Sequence, residues 1–205
     1  ALQSLKKRTE SSAVDLDDGG SKAIPSIAVL PFANMSPDPE NQHFGDGLAE
    51  ELINAFAQIK GLHVAARTSA FRFRGESADI REIGEKLNVR TVVEGSIRKA
   101  GNRVRITAQL INIEDGYHIW SKRFDREMRD IFEIQDEIAR TIADQLRVEL
   151  VGSKRESLVS SCTENLEAYS AFLEGRYYWN SLTPEGWAKS LELYRKAIEL
   201  DPSFA

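Results

Sequence analysis

The sequence predicts an α/β fold of the α+β kind: a mixed five-stranded sheet with helices packed on one face, followed by a C-terminal helical hairpin. Three observations predict it. Apolar runs alternate with helical stripes from residue 26 to about residue 90. The apolar period then shortens to two around the turn signals Gly101-Asn102 and Asp115-Gly116. Beyond residue 130 only helical stripes remain. Apolar types make up 41% of the 205 residues, enough for one good core and an appended element.

Residues 1–25 mix Lys6-Lys7-Arg8 with Ser, Asp and Gly and show no apolar period, so they read as a linker. SIAVLPFA, from Ser26, is nearly continuous in apolar side chains, as in a strand buried on both faces. Asn34 to Pro39 reads as a loop, because Pro37 and Pro39 remove backbone donors. Leu48, Leu52, Phe56 and Ile59 recur at helical spacing, flanked by Ala49 and Ala55, and Gly61 is expected to close that helix. Residues 62–66 form a second strand candidate. Asp79-Ile80-Arg81-Glu82 has the form of a capping box, opening a short helix that Asn88 stops. A third strand begins at Val89. Strand, helix, strand, helix, strand with short links implies two right-handed crossovers.

Centring a tight turn on Gly101-Asn102 sets Ile97 opposite Ile106, Gly95 opposite Ala108 and Val93 opposite Leu110 on the packed side. The wet side then carries Glu94, Ser96, Arg98, Arg105, Thr107 and Gln109. Val92 and Ile111 also point that way, so part of this side is expected to be covered. Residues 117–124 complete the meander. Asp130-Ile131-Phe132-Glu133 is a second capping-box pattern, and a stripe from Ile131 to Leu150 follows. Domain boundaries fall at 26–152 for the α/β unit and 164–205 for the helical pair.

Charge and composition exclude several functions. The net charge is -5, opposite to what counterion release from nucleic acid requires. The single Cys162 cannot form an internal disulfide or a thiolate metal cage, and His43, His63 and His118 are scattered. No run approaches the ~20 apolar residues of a membrane span. No Gly-rich phosphate loop or nucleophile elbow is present, so catalytic, cofactor and metal residues are all expected to be none. Asp46 reads as a helix-start carboxylate, and Glu50-Glu51 as outward charges. The candidate ligand or partner surface is Arg98, Arg105, Thr107 and Gln109 on the sheet, with Arg72 and Arg74 in a loop that straps Phe71 and Phe73 down.

In the last forty residues, Leu166, Tyr169, Phe172, Leu173, Tyr177 and Tyr178 mark one helix, and Thr183-Pro184 starts another. WAKSLELYRKAIELDPSFA resembles the second half of a tetratricopeptide repeat, with Ser190, Tyr194, Ala197 and Pro202 at its packing and stop positions. Tyr178 stands where that pattern carries a small residue, a departure from it. One repeat cannot bury its own face. The resemblance implies a protein or peptide partner and further repeats in a longer chain.

With these pieces placed, the run from SIAVLPFA to SKRFDR, with VVEGSIRKAGNRVRITAQL and FEIQDEIA, resembles the TolB amino-terminal-like domain of bacterial signalling proteins. The resemblance implies a non-catalytic sensory or protein-interaction module linked to a nucleotide cyclase or winged-helix effector. It further implies an upstream membrane span, with this segment tethered on the periplasmic side. A small anionic ligand on the arginines is a second expectation; nucleic acid is not expected.

Overall fold

The computed structural model of the chain describes residues 24–75, 78–146, 163 and 165–204. The linker reading for residues 1–25 therefore falls almost wholly outside the described residues, as do Cys162 and the end of the stripe at Leu150.

β1 (Ser26–Val29) pairs in parallel with β3 (His63–Val64) on one side and with β4 (Thr91–Ala100) on the other. β5 (Arg103–Asn112) and β6 (His118–Glu127) continue the sheet antiparallel, giving the order β3-β1-β4-β5-β6. The expected fold class is what the chain adopts, with one strand more. β2 (Ala33–Asn34) pairs in parallel with Ser96 and Ile97 of β4, at the last residue of the expected first strand and the first of the expected loop. Pro37 and Pro39 lie beyond it and leave the Met35 N–H free to donate to the Ile97 carbonyl.

Helix α1 (Gln42–Ala57) links β1 to β3, and α3 (Ile80–Leu87) links β3 to β4 on the far side of β1. The winding thus reverses, and two crossovers of the same hand must then lie on opposite faces. They do. Leu48, Leu52 and Phe56 of α1 join Ile27, Val29, Val93, Ile97, Ile106 and Leu110 in the main core. Ile83 of α3 joins Ala28, Leu30 and Val92 in a smaller one. The expectation of helices on one face holds for α1 and for α4 (Ile131–Gln145), whose Ile134, Ile138 and Ile142 are buried in the main core. It does not hold for α3, and Val92 is covered as its apolar character foretold.

The β4–β5 register is the expected one, with Ile97 opposite Ile106, Gly95 opposite Ala108 and Val93 opposite Leu110. Gly95 is required by packing: a Cβ there would lie 2.5 Å from the Phe32 ring and 2.1 Å from the Thr107 carbonyl oxygen. β6 runs three residues further than expected and carries an irregularity opposite Leu110 and Ile111. Asn88 ends α3 in the left-handed region at φ 52°. Asp79 caps α3 but accepts from the Arg81 N–H, one residue short of the box geometry. The second box does not form. A 3-10 turn, Met128–Asp130, runs straight into α4, so Asp130 is already bent toward helical backbone and its side chain makes no cap.

The helical pair is α5 (Leu166–Trp179) and α6 (Pro184–Leu200). Asn165 ties its two ends together, accepting from the Glu167 and Ala168 N–H groups and donating to the Leu200 carbonyl. Thr183 caps α6 through the Gly186 N–H, with Pro184 in the first turn. Leu182 in the connecting turn has φ 54° and is 73% exposed. The hairpin does not stand apart from the sheet domain. Tyr169 and Leu173 of α5 are buried in the main core, and Gly47 of α1 lets Leu173 approach to where a Cβ would be 2.7 Å away.

His43 is buried on α1. Its Nδ1–H donates to the Glu40 carbonyl, and its Nε2 has no partner among the described residues. Burial lowers its pKa from 6.5, helped by the neighbouring Lys99 ammonium and opposed by the Glu40 carbonyl, Asp46 and Asp38. The unfolded chain therefore takes up this proton first, so stability is full above about pH 6.5 and falls as the pH drops toward the folded value. Urea melts between pH 7.5 and 5 should show that loss, and His43→Met should flatten it.

Candidate functional site

In open α/β sheets, ligand crevices form at the carboxyl ends of strands whose connections leave on opposite faces. Here that place lies between the ends of β1 and β3. β1 is followed by Leu30 and Pro31. β3 is followed by α2 (Arg67–Ala70) and a 3-10 turn, Phe71–Phe73, which straps Phe71 and Phe73 against the core as expected. Two clefts open there and share Arg74.

The larger cleft, about 700 Å³, lies between this turn and the α5–α6 connection, with Phe71, Tyr177 and Tyr178 among its walls. Its cations are already engaged. Arg74 donates to Asp46 Oδ2 and Arg67 donates to Glu50 Oε1, while the Arg67 guanidinium lies 4.2 Å from the Phe71 ring centre. Lys189 pairs with Glu192. Glu185 is the one charged lining residue without a partner among the described residues. With every lining cation paired and Glu185 left over, the cleft does not by itself select an anion.

Asp46, Glu50 and Glu51 are the residues the sequence reading misassigned. α1 begins at Gln42, so Asp46 lies in its second turn, 3% exposed, where it accepts from Gln42 and Arg74. Glu50 is not an outward charge: it is 8% exposed and lies one turn beyond Asp46 on the same face. It binds Arg67 at 2.6 Å and Arg176 of α5 at 2.7 Å, and Arg176 also reaches Glu51 at 3.0 Å. Gln135 of α4 donates to the Tyr169 hydroxyl nearby. The i, i+4 spacing of Asp46 and Glu50 was the available signal. Their arginine partners stand 17 or more residues away in the chain, beyond any local pattern.

The candidate residues separate into three places. Thr107, Gln109 and Arg74 come together in the second cleft, about 500 Å³, with Glu94 and Ser96 beside them and Leu30, Phe73 and Ile83 on its apolar side. Arg98 and Arg105 face each other across β4 and β5 and line a shallower depression with Arg103 and Asp125. Arg72 is exposed and lines neither cleft. Arg105 is held by Asp125 through Nε and Nη2, and Arg103 takes the other oxygen at 2.6 Å. The Arg103 and Arg105 hydrogen bonds bring the Asp125 pKa down to about 2. Arg98 has no partner among the described residues. Like charges directly opposite repel, so three guanidinium groups around one carboxylate leave this face in want of negative charge. No group of three or more His, Cys, Asp or Glu able to hold a metal occurs among the described residues.

Arg176→Met should cost about 3 kcal/mol, because Glu50 and Glu51 would keep a desolvated charge with only Arg67 in reach. Adding Glu50→Gln and Glu51→Gln should return part of that loss in the same urea titration. Arg98→Ala with Arg105→Ala should leave the melting temperature within a few degrees of the parent, since both side chains are exposed and Arg103 still holds Asp125.

Comparison with known proteins places these features in context. The chain is 42% identical over 183 residues, 89% of its length, to a protein of Rhizobium meliloti (strain 1021) named "Putative adenylate cyclase 3". It spans 31% of that relative's length. Solved structures similar to it include TolB from Acinetobacter baumannii, at 15% identity and a TM-score of 0.45 over 60% of this chain and 28% of that one. Lipoprotein GNA1162 from Neisseria meningitidis is similar at 16% identity and a TM-score of 0.43, over 62% of this chain and 99% of that one. No helix among the described residues is long and apolar enough to cross a membrane. Residues 22–141, more than half the chain, match the family described as HilA/YgeH-like transcriptional regulator, second domain, and the chain belongs to that family.

Proposed function

We propose that the chain is a non-catalytic protein-interaction module of a bacterial signal-transduction protein, and that the outer face of its hairpin receives the partner. The observation that carries this reading is an apolar stripe left in solvent. Trp187, Leu191 and Ile198 of α6 are 43%, 52% and 51% exposed. At about 100° per residue they fall within roughly 40° of one another around the helix. Trp179 of α5, half exposed, extends the patch with its ring 6.4 Å from that of Trp187. A contiguous apolar patch of this kind marks an interaction site.

The hairpin itself supports a tetratricopeptide type. Ser190 and Ala197 are buried at the α5 interface, and Tyr194 lies over Gly175, where a Cβ would be 2.9 Å from its ring. The small residue that permits close approach is Gly175, so the bulk of Tyr178 does no harm three residues later. Pro202 stands in the turn directly after α6, as the repeat pattern has it. A helix stacked on the stripe, from a partner or from a following repeat, would bury it.

The relative named as an adenylate cyclase is about three times as long as the matched segment, and the matched family is a second domain of transcriptional regulators. Both support a role beside an effector, with the effector's chemistry elsewhere in the parent protein. We further propose that this segment lies on the periplasmic side of a membrane-anchored parent, a reading that rests on the resemblance to TolB-like segments; alkaline phosphatase and β-galactosidase fusions to the parent protein test it.

Trp187→Glu with Leu191→Glu should abolish capture of the partner from a lysate of the encoding cell, while the circular dichroism melt stays within a few degrees of the parent. Unchanged capture would refute the reading. A collapse of the melt would show that the stripe is internal packing.

A further inference from the structure

We infer that the free edge of β6 takes up an extended acidic segment of another protein as a further strand. β6 is ten residues long, ends the strand order, and has no strand on its outer side among the described residues. It is held rigidly. β5 pairs along its length, Phe124 is buried in the main core, and Lys122 is paired with Glu137 of α4. A long edge with unpaired N–H and C=O groups is a template for strand addition, in which main-chain hydrogen bonds supply affinity and alternate side chains supply selectivity.

The side chains along this edge define what fits. Arg123 points to the open face of the sheet, has no partner among the described residues, and lies directly across from Thr107. Arg126 points to the opposite face, its guanidinium engaged, among the described residues, only with the carbonyl of Asp125. Asp125 does not repel an acidic guest, because Arg103 and Arg105 cover both its oxygens. In an added strand, successive residues face opposite sides. Acidic residues three apart would therefore meet Arg123 on one face and Arg126 on the other. At the start of the edge Tyr117 and Ile119 are 73% and 41% exposed, a seat for an apolar residue at one end of the guest.

A second copy of the chain fits poorly. Residues directly opposite in an antiparallel pair share a face, so the two self-pairing registers nearest the middle of β6 set Lys122 against Lys122 or Arg123 against Arg123 of the copy, a repulsive pair in either case. Charged edge residues also serve to discourage aggregation, and this is compatible with admitting a guest of opposite sign. The edge is separate from the hairpin stripe, so its failure would leave the hairpin reading standing.

The test is fluorescence anisotropy with a labelled ten-residue peptide of alternating Thr and Val carrying Asp at its fourth and seventh positions. Saturable binding is expected, weakened about tenfold or more when both Asp are Lys, when alternate peptide nitrogens are N-methylated, or when the protein carries Arg123→Glu. Lys196→Glu, on the exposed side of α6, should change nothing. Absence of saturable binding, equal binding of the Lys peptide, or indifference to N-methylation would each overturn the inference. So would self-association of the chain, by sedimentation, that Arg123→Glu abolishes, since the occupant would then be a second copy.

Discussion

The handedness of the two crossovers constrains nearly everything else in this fold. β1 lies between β3 and β4, so the chain must step away from β1 and then back across it. Keeping the same hand in both steps puts α1 and α3 on opposite faces. α1 is then joined by α4 on one face, which becomes fully packed. α3 is only eight residues long and covers the other face beside β1, the start of β4 and the end of β5. The rest of that face, with Arg98, Arg105 and Arg123, stays open to water. The crevice at the ends of β1 and β3 is a consequence of the same reversal.

α1 joins these regions. One side supplies Leu48, Leu52 and Phe56 to the core, while Asp46, Glu50 and Glu51 hold arginines from three other segments. Ion pairs of this kind contribute little net stability when formed, since desolvation offsets attraction, but they are costly to break singly. Their effect is geometric: they fix the α5–α6 pair in one orientation against the sheet domain, alongside the contact of Leu173 with Gly47. A load on the hairpin is thereby transmitted to the helix that leads from β1 to β3.

How much of this was legible in the sequence follows from the range of each interaction. The β4–β5 register was readable because a two-residue turn and a period of two fix it locally. The buried faces of α1 and α4 were readable from spacing alone. β2 was hidden because two residues give no period, and the side of the sheet chosen by α3 depends on strand order, which no local pattern carries. Asp130 had the right residue types for a cap, but the preceding turn took its backbone conformation away. At the site, Thr107, Gln109 and Arg74 were picked out individually, whereas the convergence of Glu50, Arg67 and Arg176 needed the folded chain.

The turn between α5 and α6 has its own implication. An ordinary L-residue in the left-handed region costs roughly 1 kcal/mol or more, and glycine avoids that penalty. Position 182 nevertheless holds leucine at φ 54°, thrust outward beside the tryptophans of the hairpin. Backbone comfort would favour glycine there, so what this corner offers its surroundings is the isobutyl group itself: a greasy knuckle at the rim of the aromatic patch, held up at the expense of the loop that bears it.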